Sequence, residues 1–492
     1  MKFPLLAKVG AIALVGLMLT GVLMRIEGLV NERKWRGEEA VRGVERSHAA
    51  AQSVLGPVLE RACTEEWGVP AGTGKDRAVT AFKREFRLRQ VPTRLAVDSR
   101  TKADPLWRGL YKVNAWTGHF TVTADFATLT ALQPRLEHPD GRLECAAPVL
   151  LVAISDVRGV RTATVSADGL ALAVEPGTGG SSWAVQSGTG GSAWASGLHA
   201  TLAAARIDGD AGARPLALHL ELDLIGTGQL AWVPAADSMH WTLNSDWPHP
   251  SFGGQFAPEQ REVRPDGFSA TWNLSSLATT APADVAKGLA LCTASSLAPD
   301  AAYAAADSKS DKCLDLMAVA FIDPINPYVL SDRAVKYDLL YIALTFIAVA
   351  LVEVLSGRRV HPMQYLLVGL ALSLFFLLLL SLSEHLAFVQ AYATAASACA
   401  VLLGVYATSM LGRRLAGALF GLGIALLYGL LYALLQMEQN ALVIGSVMLF
   451  AALATVMLLT RRIDWYALFA RLRGAAAEDV RPVRPVAPDL RG

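Results

Sequence analysis

Three side chains that could form a hydrolytic triad lie close together in the segment SDWPHPSF, residues 245–252. Asp246, His249 and Ser251 supply a carboxylate, an imidazole and a hydroxyl, the groups that activate a serine nucleophile. Triad members normally converge from distant parts of a chain, however, and the two prolines here indicate a rigid turn that holds its aromatic side chains against a sheet. We therefore interpret the segment as structural and expect no enzyme activity.

A second candidate is a metal site formed by histidines. His361 and His385 bracket the uncharged stretch from Pro362 to Ser383. About 22 residues of helix at roughly 1.5 Å each span about 33 Å, so the two imidazoles cannot share an ion. The cysteines show no C-x₂₋₄-C spacing that would bind zinc. Neither a metal nor a cofactor is expected.

The stretch between the histidines is one of six segments apolar enough to cross a membrane. They cover residues 3–24, 338–356, 362–383, 388–411, 415–435 and 440–460. A cleaved signal peptide is the alternative for the first segment, since Lys2 and Lys8 would suit its basic region. Its apolar part is long and no A-x-A site follows, which favours an uncleaved anchor.

The charges of the connecting segments predict the orientation of these helices. Segments 357–362, 412–415 and 460–464 each carry an arginine pair, whereas 381–385 and 436–440 have no Lys or Arg. By the positive-inside rule, both termini and the arginine pairs face the cytoplasm, and the long segment after the first helix is exported. The chain is nearly neutral, with 44 basic and 43 acidic residues, so no nucleic acid partner is expected.

The exported segment has the patterning of a β-rich domain. Stretches such as FTVTADF and LALHLELDLIG alternate apolar and polar residues, which predicts mostly antiparallel strands in a sandwich or in twisted open sheets. The predicted divisions are an anchor (1–24), a helical stalk (25–55), the β-rich domain (56–336), a five-helix bundle (337–462) and a cytoplasmic tail (463–492).

A glycine- and serine-rich repeat interrupts this domain. PGTGGSSWA at 176–184 returns as SGTGGSAWA at 187–195. Two copies are too few for a solenoid, so a loop is the simpler interpretation. The alternative makes Trp183 and Trp194 exposed platforms for a glycan or a protein partner.

Four of the five cysteines lie in the exported segment, where an oxidising compartment favours pairing. We predict a bridge between Cys292 and Cys313, and with less support one between Cys63 and Cys145. Three connectivities remain open from the sequence.

The membrane segments resemble the CreD family of bacterial inner-membrane proteins. The matching motifs are DPINPYVLSDRAVKY (323–337), LTF (344–346), Glu353, HPMQYLLVGLALSLFFLLLLSLSEH (361–385), LYGLLYALLQMEQNAL (426–442), GSVMLF (445–450) and TRRIDWY (460–466). The exported segment is similar to the family more loosely, through RGLYKV (108–113) and SDWPHPSFGGQFAP (245–258). The polar residues in the membrane motifs are Glu353, His361, Gln364, Tyr365, Ser383, Glu384, His385, Gln436, Glu438 and Asp464.

The resemblance implies a multi-pass protein of the bacterial inner membrane with a role in cell-envelope integrity. Family members are linked to a two-component regulon, tolerance to certain colicins and responses to β-lactams. The family pattern carries over no catalytic residue to this chain.

Two classes of function follow from the residues. The first is a scaffold whose exported domain binds an unidentified envelope protein or cell-wall component, with the lipid bilayer as its surroundings. The second is a transporter or channel for a small solute. The predicted helix centres hold hydroxyl and thiol groups but no ionisable carboxylate, and no broken helix is evident, which favours the scaffold.

Contacts between the helices are expected at their ends. We interpret the terminal Glu and His side chains as helix caps and interhelical hydrogen bonds. We also predict that Arg333 and Lys336, in the strand that leaves the exported domain, approach Glu384 or Glu438. Gly417 and Gly421 allow close helix approach, within the bundle or between two copies of the chain.

Overall fold

The computed structural model describes residues 4–71, 78–178, 194, 196–292, 313–323, 327–356, 360–436 and 441–461. It divides into two compact units. The β-rich unit covers Glu38–Pro324, and the helical unit joins Met1–Gly37 to Ile325–Gly492. The helical unit is therefore discontinuous in sequence.

Two large sheets build the β-rich unit. The nine-stranded sheet has the order β11-β12-β8-β1-β14-β19-β16, with β2 and β7 also paired to β1, and the eight-stranded sheet has the order β10-β9-β13-β6-β3-β15-β18-β17. Most pairs are antiparallel, as the sequence predicts, while β1 with β14 and β3 with β15 are parallel. The strand bounds are β1 Gln52–Ala71, β2 Ala78–Gln90, β3 Arg94–Ala103, β4 Leu106–Arg108, β5 Tyr111–Val113, β6 Ala115–Phe126, β7 Arg142–Cys145, β8 Val149–Ile154, β9 Val160–Ala167, β10 Leu170–Leu172, β11 Val174–Pro176, β12 Gly197–Thr201, β13 Leu216–Thr227, β14 Gln229–Trp232, β15 Ser238–Ser245, β16 Pro250–Gly254, β17 Gln260–Arg264, β18 Gly267–Ser275 and β19 Met317–Phe321.

The two sheets pack face to face around one apolar core. Alternating residues of β3, β6, β13 and β15 point inwards, which gives these strands their buried and exposed alternation. Large aromatic side chains join the sheets: the ring centroids of Phe120 and Trp232 lie 5.8 Å apart, and those of Trp232 and Trp241 lie 6.4 Å apart. The unit is a sandwich, one of the two arrangements that the alternation allowed.

A second, smaller core lies on the other face of the nine-stranded sheet, against helix α2 (Ala281–Lys287). Trp194 belongs to it and is only 2% exposed. Its indole N–H donates to the carbonyl of Leu289 at 2.9 Å, and the guanidinium of Arg89 stacks over its ring. The hypothesis that Trp194 is an exposed binding platform is therefore wrong, because this indole fills a core. Trp183 lies outside the described residues.

Strand β1 is charged where an apolar strand would be expected. Glu60 is buried, and its carboxylate accepts hydrogen bonds from Arg87 at 2.5 Å and Arg89 at 2.7 Å on the neighbouring strand. The buried guanidinium of Arg61 pairs with Asp208 at 2.9 Å. These ion pairs allow the strand to carry charge into the interior, since a buried charge is stable only with a partner.

Disulfides join Cys63 to Cys145 and Cys292 to Cys313. The first links β1 to β7, whose residues 63 and 145 face each other across the ladder. Cys399 is a buried free thiol in the helical unit.

Long helices form the other unit. Their bounds are α1 Pro4–Ser47, α3 Pro327–Val335, α4 Asp338–Ser356, α5 Pro362–Ser383, α6 Phe388–Leu411, α7 Arg414–Gln436 and α8 Ala441–Thr460. Among the described residues, four helices are long and apolar enough to cross a membrane: α1, α5, α6 and α7. Helices α3 and α4 pass the same test together and are bent by 46° at their junction. The sixth crossing, at α8, stays a prediction.

The structure differs from the sequence expectations at three places. The first helix ends at Ser47 and β1 begins at Gln52, so the predicted stalk is shorter than 25–55. Gly56 and Pro57, which directly follow the predicted stalk, lie within β1, at a shift in its register with β8. The segment SDRAVKY, expected as an exit strand, is mostly the helix α3, and the β-rich unit ends at Pro324 instead of 336.

Candidate functional site in the helical unit

Polar side chains gather where α4 ends and α5 begins. The hydroxyl of Tyr365 donates to Glu353 Oε2 at 3.1 Å and joins the two helices. His361 is the N-cap of α5: its Nδ1 accepts from the Met363 N–H at 3.2 Å, while Gln364 Oε1 accepts from the His361 N–H at 3.0 Å. This reciprocal cap satisfies helix N–H groups that would otherwise lack partners. The family-motif residues at this end therefore have structural contacts.

The other end of α5 carries an ion pair that the sequence interpretation did not include. Glu384 directly follows α5 and lies 3.4 Å from the guanidinium Nε of Arg33 in α1. The carboxylate is 11% exposed and the arginine 34%. Ser383 donates to the carbonyl of Leu380 at 2.8 Å within its own helix. His385 is exposed and continues the helix end through its N–H to Leu382.

The predicted docking residues lie on or beside α3. The ammonium of Lys336, which directly follows α3, pairs with Asp332 of that helix at 3.0 Å. Glu438 and Asp464 lie outside the described residues, and Gln436 is exposed at the end of α7. The approach of Arg333 or Lys336 to Glu384 or Glu438 therefore stays a prediction, and Arg33 is the cation placed at Glu384.

Helices α6 and α7 approach each other closely. A Cβ added at Gly417 would meet the backbone of Thr408 at 2.6 Å, and one at Gly421 would meet the Cα of Gly404 at 3.0 Å. Close approach within the chain, one of the two uses predicted for these glycines, is confirmed. Tyr392 adds a link between the helices, because its hydroxyl donates to the carbonyl of Tyr428 at 2.6 Å.

Most hydroxyl groups inside the helices bond to their own backbone. Thr345 donates to Tyr341 at 2.8 Å and Ser373 donates to Gly369 at 3.0 Å, each to the carbonyl four residues earlier. Such bonds satisfy the hydroxyl without any neighbouring helix. These residues need no ligand.

The β-rich unit contains the segment with triad ingredients, and the structure does not assemble a triad. Asp246 Oδ1 accepts from the backbone N–H of Ala103 at 2.6 Å. The indole of Trp247 is buried and donates to the carbonyl of Ile322 at 3.0 Å. His249 and Ser251 form no side-chain hydrogen bond with any described residue. The segment is a structural turn.

One cluster in the β-rich unit has metal-ligand chemistry: Glu65, Glu137 and His138. Glu65 Oε1 already accepts the backbone N–H groups of Glu137 and His138 at 2.9 and 2.8 Å, and Oε2 accepts from Arg84 at 2.9 Å. The N–H of His138, with the nearby guanidinium of Arg84, holds the pKa of the Glu65 carboxyl below its usual value. This carboxylate orders a loop, and nothing else about the cluster indicates a metal.

The fold and these contacts define an integral membrane protein in which a helical unit carries a large β-rich unit. Residues 4–466 match the family model for the inner membrane protein CreD. The chain is also 33% identical to inner membrane protein CreD of Escherichia coli strain K12 over 468 residues, which is 95% of both chains. The chain belongs to the CreD family, which is a family of inner-membrane proteins and not a known enzyme family.

Among solved structures, the chain is similar to an M1 zinc metallopeptidase from Deinococcus radiodurans, both free and with a bound peptide substrate. The TM-scores are 0.18 to 0.20 at 10% identity, over 37% of this chain and 38% of that one. Likeness at this level says nothing about function.

Sequence reasoning missed three residues of the helical unit. Arg33 was assigned to a solvent-exposed stalk, Ser331 to an exit strand, and Asp338 to the edge of a span. Asp338 is instead 7% exposed and follows a nine-residue helix that packs on α5 and α7. Helix α3 was not recognised from the sequence, because the charges in SDRAVKY interrupt the apolar run that indicates a membrane segment.

Proposed function

We propose that this protein supports cell-envelope integrity as an inner-membrane scaffold. Its β-rich unit faces the periplasm and binds another envelope component, and its helical unit anchors that unit in the bilayer. The observation that carries the proposal is the short hairpin of β4 and β5. Trp107 and Leu110 near its tip are 66% and 47% exposed, although both are strongly apolar.

The hairpin is held firmly enough to present these two side chains. Lys112, directly opposite Trp107 across the hairpin, pairs with Asp323 at 3.1 Å and lies over the ring of Trp247. An aromatic residue exposed on a rigid element loses little entropy on binding, and aromatic residues dominate protein interfaces. The hairpin therefore suits a protein partner.

Photo-crosslinking in intact cells tests this proposal. A photoreactive residue at Leu110 should capture a specific envelope component, whereas the same residue at Leu170, a 73% exposed leucine on another hairpin, should not. Equal capture at the two positions would contradict a role for the β4–β5 hairpin. Recovery of this protein alone would replace partner binding by self-assembly.

A transporter or channel for a small solute is the second candidate. The bend between α3 and α4 favours it, because transporters often place their sites at interrupted helices. Solute uptake by vesicles containing the purified chain, compared with empty vesicles, tests this directly. Equal uptake in the two preparations would contradict the transporter and favour the scaffold.

A further inference from the structure

The junction of α3 and α4 contains a buried carboxylate that forms no ion pair with a cation among the described residues. Asp338 is 7% exposed, and the one hydrogen bond that its side chain makes with described residues comes from the N–H of Leu339. It forms no ion pair with any residue in the described part of the chain. Lys336, two residues away, is occupied by Asp332 at 3.0 Å.

Asp338 is exceptional among the buried charges of the described residues. The others each have an opposite charge within reach: Glu60 has Arg87 and Arg89, Arg61 has Asp208, Glu65 has Arg84, and Asp284 has Lys287. An isolated buried carboxylate is costly, and in a membrane-spanning segment it usually marks a functional site.

The backbone beside Asp338 offers further oxygen atoms. At the break, the N–H of Lys336 donates to Asp332 at 3.3 Å and that of Tyr337 donates to Ala334 at 3.1 Å. The carbonyl oxygens of Val335 and Lys336 receive no backbone N–H from the described residues, because the regular pattern resumes only with Tyr341. Carbonyls at the C-terminal end of a helix also carry its partial negative charge.

Ser331 supplies a fourth oxygen. Its hydroxyl is buried and has no hydrogen-bond partner in the described part of the chain, although most buried hydroxyls are paired. Thr345 and Ser373 in the same unit bond to their own helix backbone, which Ser331 does not do. Within α3, Ser331 and Val335 lie one turn apart on the same face, and Asp338 follows directly after the break; all three are buried.

We propose that this break is a sodium site formed by the carboxylate of Asp338, the carbonyl oxygens of Val335 and Lys336, and the hydroxyl of Ser331. The donor set is all oxygen, which suits a hard cation. Asp338 is the one carboxylate in this set, although Glu27 of α1 lies near enough to act on it electrostatically, whereas calcium sites usually supply several carboxylates as direct ligands. Half-helix ends with free carbonyls are a known way to bind Na⁺ inside a membrane protein. The inference does not depend on the scaffold role.

Sodium-dependent stability of the full chain tests the site. Cys399 is a buried free thiol and the other four cysteines are in disulfides, so its reaction with a fluorescent maleimide reports unfolding of the helical unit. A ligand that binds only the folded state stabilises that state, so the Tm of the chain in detergent should rise with NaCl concentration until the site is saturated. Choline chloride replaces NaCl at each step to keep the ionic strength constant.

The variants locate the effect. Asp338→Asn should raise the half-saturating sodium concentration by more than about tenfold or abolish the response, as loss of a metal contact does. Ser331→Ala should weaken the response, and it provides the test if Asp338→Asn does not fold. Asp332→Asn removes a carboxylate of the same helix that is already paired with Lys336, and it should keep the sodium response.

Two results would overturn the proposal. One is a Tm of the native chain that is the same in sodium and in choline. The other is a sodium response that Asp338→Asn and Ser331→Ala both retain in full. If the Tm depends on pH through Asp338 but not on sodium, the proposal is also overturned, because Asp338 would then be neutralised by a proton.

Discussion

The ion pair between α1 and the end of α5 allows a quantitative test of how the first helix is held. Glu384 Oε1 and Arg33 Nε lie 3.4 Å apart. At an effective dielectric constant of 20, their gross attraction is roughly 5 kcal/mol. Desolvation and loss of side-chain freedom offset most of it, so we expect Glu384→Gln or Arg33→Gln to destabilise the helical unit by about 1 kcal/mol. For a unit of this size that lowers the Tm by roughly 2 to 4 °C.

A double-mutant cycle separates the pair from other effects of each substitution. The two single variants and the double variant are unfolded thermally with the Cys399 thiol as reporter. The coupling energy should be about 0.5 to 1 kcal/mol, because removing the second partner of a broken pair costs little more. Arg36→Gln is the matched control on the same helix, since its i,i+4 pair with Glu32 is exposed and contributes only about 0.3 kcal/mol. Additive single effects would show that the two charges do not stabilise each other.

Three further predictions concern the two units separately. Glu60→Gln should destabilise the β-rich unit by about 3 kcal/mol, because it leaves buried arginines without a carboxylate partner. Glu66→Gln, on the exposed face of the same strand, should not destabilise it, and chemical denaturation measures both variants. Burial raises the pKa of the Asp156 carboxyl, but hydrogen bonds from Arg158 and from a backbone N–H outweigh burial and hold that pKa below its usual value. The ionised carboxylate therefore stabilises the folded unit at any pH above the pKa of the unfolded state, and this contribution is lost as pH falls through the pKa of the folded state. Asp156→Asn should therefore flatten the loss of stability below about pH 4, as pH-dependent unfolding would show. Gly417→Leu should force α6 and α7 apart and lower the Tm of the helical unit, whereas the same change at Gly423, which has no neighbour within 4 Å, should not.

Membrane helices were the part of this fold most accessible from sequence. The expected bounds 362–383 and 388–411 are those of α5 and α6, because long uncharged runs end at Pro, Gly or charged residues. The bent pair was not accessible, since the charges of Asp332 and Arg333 interrupt the apolar pattern within only nine residues of helix. Its packing depends on neighbours that sequence periodicity does not reveal.

The β-rich unit shows the same division. Strand β13 was expected at 216–226 and runs from Leu216 to Thr227, because its leucines alternate regularly. Strand β1 was not recognised: Glu60 and Arg61 contradict an interior strand until their partners are known. Arg61 pairs with Asp208, which lies 147 residues later in the chain, and no local sequence pattern predicts a pair between residues so far apart.

The polar contacts at the helix ends were predicted in kind but not in detail. Residues such as Glu353 and His361 serve as links and caps, as their positions suggested. Arg33 was not recognised as the partner of Glu384, because the helix that carries it is separated from α5 by the whole β-rich unit. Charge and spacing predict where an ion pair is needed, and only the fold identifies the second residue.

The discontinuity of the helical unit constrains how the protein is made. Helix α1 is synthesised first, and its bundle partners follow only after residues Glu38–Pro324, which at typical elongation rates take roughly 15 to 60 s. During that time Val15, Leu19 and Leu23, buried in the finished unit, face lipid. Lipid tails are about as apolar as leucine, so a single helix in the bilayer has no hydrophobic driving force to associate with other chains before its bundle partners are made. Arg33, by contrast, has no Glu384 beside it until α5 is made, so this ion pair can form only after the whole β-rich unit has been synthesised.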